Sequence, residues 1–119
     1  MRHNNKKNKL NAGSSSHLKA MMRNLATSVI LHERVKTTAK KAKIVTPIVE
    51  GLITTVKKKD TVNAIREINK VVYDVNASKK LVEVLKDRYK DRESGFTRTT
   101  KFKNRDGDNA QLVVLELVA

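Results

Sequence analysis

Of the first 46 residues eleven are lysine or arginine, and a single one, Glu33, is acidic. Such a block cannot fold into itself, because an unpaired ammonium or guanidinium is too costly to bury in a small core. Its cations must stay outside and face something negative. From Asp60 to Glu93, by contrast, eight basic residues meet seven acidic ones, the mixture that a solvated helical surface needs. One-sided charge at the start, balanced charge in the middle and a formal total of +14 point to a polyanionic partner. Nucleic acid comes first and an anionic membrane surface second.

At 119 residues the chain supports one domain with one modest core, and 3% aromatic content makes that core aliphatic. Cysteine is absent, which removes disulfides and thiolate metal sites and fits a reducing interior. The apolar runs, such as Val113-Val114-Leu115, are far too short to span a bilayer. The first nine residues are basic and polar with no apolar stretch behind them, so no signal peptide is expected.

Residues 1–13 hold one large apolar side chain, Leu10, and read as a basic arm that orders only against its partner. Residues 14–119 read as a single α+β domain of about four helices packed on a small sheet that contains a C-terminal β-hairpin. Leu18, Met21, Met22, Leu25 and Val29 form one apolar stripe at helical spacing, with Lys19 and Arg23 on a neighbouring face. His32–Thr37 is a short strand or an extended link. Thr38 is the expected N-cap of a helix from Ala39 to about Lys58. Pro47 either kinks that helix or begins a new one capped by Thr46. Asp60 or Thr61 caps the next helix, with Val62, Ile65, Ile68 and Val72 inward. Asp74 caps another, with Ala77, Leu81, Leu85 and Tyr89 inward. Then the period changes to two. Phe96–Phe102 and Gln111–Val118 read as strands around the turn-rich tip Lys103–Asn109.

The run Gly13-Ser14-Ser15-Ser16-His17 admits three chemistries: linker, catalytic serine–histidine pair, or phosphate grip. Adjacent side chains diverge, no Gly-x-Ser-x-Gly elbow is present and no acid lies nearer than Glu33, all of which argue against a nucleophile. Ser15 or Ser16 is the expected helix cap. The helix end it caps offers backbone amides to phosphate, and the small residues permit close approach. Lys9, Lys19 and Arg23 flank it. His3, His17 and His32 match no common zinc spacing, and Asp106-Gly107-Asp108 reads as turn chemistry rather than a magnesium site. Lys57-Lys58-Lys59 suits a helix C-terminus as well as it suits RNA. Arg98, Lys101, Lys103 and Arg105 make the hairpin a second phosphate-binding surface. Four aromatics without an RNP pattern do not make a base-stacking sheet. Recognition of folded RNA, or of a duplex, by backbone and shape remains.

The stretch LNAGSSSHLKAMMRNLATSVILHERVKTTAKKAK resembles the N-terminal signature of the bacterial large-subunit ribosomal protein seventeen family. Met1-Arg2-His3 is similar to that family's opening. Gly95-Phe96-Thr97-Arg98, Lys101, Arg105, Gly107-Asp108 and Leu115-Glu116-Leu117-Val118 are similar to its terminal hairpin. The chain departs from it at Asn4, Asp106 and Gln111. The resemblance implies a non-enzymatic structural constituent of the large ribosomal subunit, cytoplasmic within the ribosome, near the outer end of the polypeptide exit tunnel. It implies large-subunit (23S) rRNA and neighbouring large-subunit proteins as partners, with no membrane, cofactor, metal or small-molecule substrate. The motif match carries over His3, Ser15, Ser16, His17, Arg23, Asn24, Thr37, Thr38, Arg98, Lys101 and Arg105. Arg2, Lys6, Lys7, Lys9, Asn11, Ser14, Lys19 and Lys36 complete the expected RNA-contacting set. The rival readings are a free nucleic-acid-binding regulator, which would not travel with ribosomal particles, and an RNA-processing hydrolase dependent on Ser16 or His17.

Overall fold

A computed structural model of the chain describes Leu10 and residues 14–119. Helix α1 spans Ser15–His32. Its cap is Ser14, one residue before the expected Ser15 and two before Ser16. Ser14 is the residue left in extended backbone (φ −73°, ψ 159°), and its hydroxyl accepts the backbone N–H of His17 at 3.2 Å. Met22, Ala26, Val29 and Ile30 are buried, with Leu18, Met21 and Leu25 half-buried beside them. Glu33 ends the helix in the left-handed region at φ 61°.

The segment after α1 is a strand, β1 (Arg34–Thr38), and α2 (Ala39–Lys58) follows without a gap. Thr38 holds the N-cap position, but its side chain makes no capping hydrogen bond. Pro47 neither breaks nor restarts α2. Ala42, Val45, Val49, Leu52, Ile53 and Val56 form one buried stripe across it, while Pro47 lies on the exposed side. The carbonyl left without a partner, that of Lys43, is therefore on the wet face, where water satisfies it. Core packing wins over the local penalty.

Helix α3 (Thr61–Asn69) is capped in position by Asp60 and buries Ala64 and Ile68. Val62 and Ile65 do not point inward as expected; they are 57% and 38% exposed. The apolar spacing is real, but Ala64, too small to dominate a hydropathy pattern, takes the core-facing row. Val72, in the link beyond, is buried as expected.

The last helical run comprises α4 (Val75–Lys80), a π-helical turn (Leu81–Leu85) and α5 (Lys86–Arg88). Asp74 caps it, accepting from the backbone N–H of Asn76 at 2.7 Å and of Ala77 at 3.4 Å. The π turn has a reason in the sequence. Ala77, Leu81, Leu85 and Tyr89 recur every four residues and all are buried. Strict four-residue spacing drifts by about 40° per step on a helix of 3.6 residues per turn. Widening the turn, with the Lys86 N–H reaching back five residues to Leu81 O, returns the row to the core.

Strands β2 (Thr97–Asn104) and β3 (Gln111–Leu117) form the expected hairpin, β2 running two residues further than expected. The sheet is antiparallel with order β1-β3-β2. Val113, Leu115 and Leu117 face the core, where α2 touches α1, α3, the π turn and all three strands. Tyr89 and Phe96, both fully buried with ring centroids 5.1 Å apart, lock the last helical run to the hairpin.

Candidate nucleic-acid interface

Two cationic surfaces emerge on this frame. The first is the amino end of α1. Ser14, Ser15, Ser16 and His17 are all exposed there, followed by Lys19 and Asn24. Helix geometry leaves the first amides without intrahelical partners; Ser14 takes that of His17, and among the described residues none takes those of Ser15 and Ser16. Arg23, one turn along, is steadied by Tyr73. Its guanidinium lies over that ring, 5.8 Å from the centroid, and donates to the phenol oxygen. Leu10 packs against the core and shares a shallow depression with Thr38, Ala39, Lys40, Ala110 and Gln111. Arg2, His3, Lys6, Lys7, Lys9 and Asn11 lie outside the described residues.

The second surface is the sheet face turned away from the helices. Alternation along the paired strands assigns it Arg34, Lys36 and Thr38 from β1, Leu112, Val114 and Glu116 from β3, and Arg98, Thr100 and Lys103 from β2. Four cations thus share a face with one carboxylate. Glu116 stands between Arg34 and Arg98, 3.8 Å from each, too far for a hydrogen bond to either. Lys36 and Arg98, expected as RNA contacts, are brought together here. Arg34 was missed, although the alternation Arg34-Val35-Lys36 already puts it beside Lys36.

Other expected residues are placed less favourably. Thr37 pairs with Val113 on the core-facing side and is half-buried. Lys101 is in register with the same residue, on the side opposite the cation cluster, although exposed because β2 overhangs the core. Arg105 is occupied within the turn. Its Nε donates to Asp108 Oδ1 at 3.0 Å and its Nη2 to Oδ2, while Asp108 also accepts the Ala110 N–H at 3.2 Å. The Arg105 guanidinium, and then that amide, hold the Asp108 carboxyl down to about 2. Of the lysine run, Lys57 donates to the carbonyl of Arg92 and Lys59 lies 4.0 Å from Glu67, so two of the three have structural partners.

The family of known proteins described as Ribosomal protein L17 matches residues 21–118. The chain belongs to that family. Curated relatives named large ribosomal subunit protein bL17 are similar over almost its full length. That of Hyphomonas neptunium is 46% identical across 99% of this chain and 83% of its own. Those of Rickettsia bellii and Syntrophotalea carbinolica are 45% and 44% identical across 99% of this chain, and 82% and 75% of their own. L17 proteins are structural components rather than enzymes. In this L17 chain the serine–histidine run accordingly serves as helix cap and exposed backbone, and the charge asymmetry maps onto two surfaces rather than one.

Proposed function

We propose that this chain is a structural constituent of the large ribosomal subunit that holds 23S rRNA at two phosphate-facing surfaces, the amino end of α1 and the outer face of the sheet. The aliphatic core between them sets their spacing. The observation that carries this reading is the outer sheet face, which Arg34, Lys36, Arg98 and Lys103 share with a single acid, Glu116. A sheet face that no helix or strand among the described residues covers, with that charge, is matched to a phosphate backbone. The basic segment 1–13 adds further cations from its side of the chain. The charge-balanced helices α3 to α5, which expose Val62, Ile65, Val75 and Val84, face neighbouring large-subunit proteins. A position near the outer end of the exit tunnel rests on the family resemblance.

The reading is tested by titrating the full chain against deproteinised large-subunit rRNA at several salt concentrations. With about 6–10 phosphate contacts, affinity falls by roughly 10³–10⁵ between 50 and 200 mM salt. A flat salt dependence, or a chain that stays in the soluble fraction while large subunits sediment from lysate, contradicts it.

A further inference from the structure

The outer sheet face holds one feature that phosphate binding does not use. Register is lost between Lys101 and Lys103, so Phe102 is the extra residue of a β-bulge on the edge strand β2. A bulge re-aims a side chain, and this ring ends 47% exposed on the outer face. Its position there is given by its neighbours. The Lys36 ammonium, reaching from β1 across the central strand, sits 4.3 Å from the ring centroid, and that of Lys103 sits 5.9 Å away. Val114, the outer-face residue of β3 in register with Lys36, is only 4% exposed although no helix or strand among the described residues covers that face.

Count alone argues that four aromatics cannot stack bases. The fold sorts them. Tyr89 and Phe96 are consumed by the core, whereas Phe102 emerges beside two lysine ammoniums. A phenyl face beside two ammoniums, on a sheet face that also carries Arg34 and Arg98, matches a nucleotide in both its parts, the base on the ring and the phosphate on the cations. We infer that Phe102 is a stacking platform for an unpaired base of the bound RNA, with Lys36 and Lys103 moving from the ring onto the flanking phosphates. This deepens the rRNA-binding reading and rests on it.

Two full-length variants test it. F102L keeps an apolar side chain on the outer face but removes the π face. F102W introduces the sole tryptophan of the chain, whose emission reports stacking directly. Against deproteinised large-subunit rRNA, F102L binds about tenfold more weakly than the parent with an unchanged salt slope, since a stacked base is lost and no phosphate contact is. F102W emission is strongly quenched on binding. If F102L binds like the parent, or the indole of F102W stays bright while the RNA is bound with a steep salt slope, the platform is overturned and the rRNA reading stands. If the parent itself shows no salt-dependent binding, both fall.

Discussion

Arg88 grips Glu33 through two hydrogen bonds, Nη1 to Oε2 at 2.7 Å and Nη2 to Oε1 at 3.0 Å. Lys80 closes on the same carboxylate at 2.7 Å and also donates to the carbonyl of Leu31 at 3.0 Å. The end of α1 is thereby fastened to the last helical run. Glu33 sits in left-handed backbone, where a non-glycine residue is strained, and this fork of donors helps hold it there. The one acid in the leading basic block is thus a tie within the fold rather than a dilution of the RNA-facing charge.

That tie has a pH signature. Hydrogen bonds from Arg88, then from Lys80, hold the Glu33 carboxyl down to about 2, from an ordinary 4.5. A group whose folded pKa is depressed contributes stability that is complete above its unfolded value and fades as pH falls through the folded one. The contribution is therefore full at pH 7 and disappears between about pH 4.5 and 2. E33Q keeps the shape and removes the charge. It is expected to cost about 1–2 kcal/mol at pH 7, the partly exposed setting reducing what a buried pair would give. Urea denaturation followed by far-UV circular dichroism checks this, and the gap between parent and variant should close below pH 3.

P47A is expected to stabilise the protein. The ring occupies an exposed interior position of an unbroken helix of 20 residues. Alanine restores the hydrogen bond to the Lys43 carbonyl and removes the ring's clash without disturbing the Val45 and Val49 row. The gain is about 1–3 kcal/mol, part of the helix-interior penalty of proline being offset by its stiffening of the unfolded chain. A higher urea midpoint at unchanged slope is the expected result; a lower midpoint shows that α2 depends on a bend at Pro47.

How much of this was legible beforehand follows from the kind of signal each feature leaves. The α1 stripe, the Asp74 cap and the aliphatic run of β3 are local patterns, and the structure keeps them. The order β1-β3-β2 was not legible, because it depends on which edge of the hairpin the Arg34–Thr38 segment joins, a pairing as remote in sequence as that of Arg34 with Glu116. Arg105 looked like a free cation because Asp108 closes on it only through the turn at Gly107, whose φ of 100° no side-chain pattern announces. Phe102 looked like an ordinary strand residue because a bulge leaves no periodic trace. The π turn was written in plain view as a four-residue repeat.

The two faces of α3 separate core from surface sharply. Ile68 is fully buried, whereas Ile65 is 38% exposed and Val62 57%. I68A should therefore cost about 2–5 kcal/mol through lost burial and the cavity left behind. I65Q and V62T should stay within about 0.5 kcal/mol of the parent, as exposed substitutions do. Equal destabilisation by I65Q and I68A in urea titrations would place Ile65 inside the core and restore the inward row expected from spacing.

Salt slopes distinguish a cation that meets phosphate from one that is already spent. Arg34 and Arg98 share Glu116 at 3.8 Å each, so two guanidiniums divide one carboxylate and positive charge is left over. Arg105 has Asp108 to itself, with two nitrogens on two oxygens. R98A should flatten the dependence of log affinity on log salt by close to one unit, the share of one phosphate contact, while R105A leaves the slope in place. E116Q frees both guanidiniums and should tighten binding to large-subunit rRNA at low salt. All three positions are exposed or half-buried on the sheet or its turn, so circular dichroism should report an intact fold in each variant. A slope that falls with R105A but not with R98A would shift the RNA from the outer sheet face to the hairpin tip.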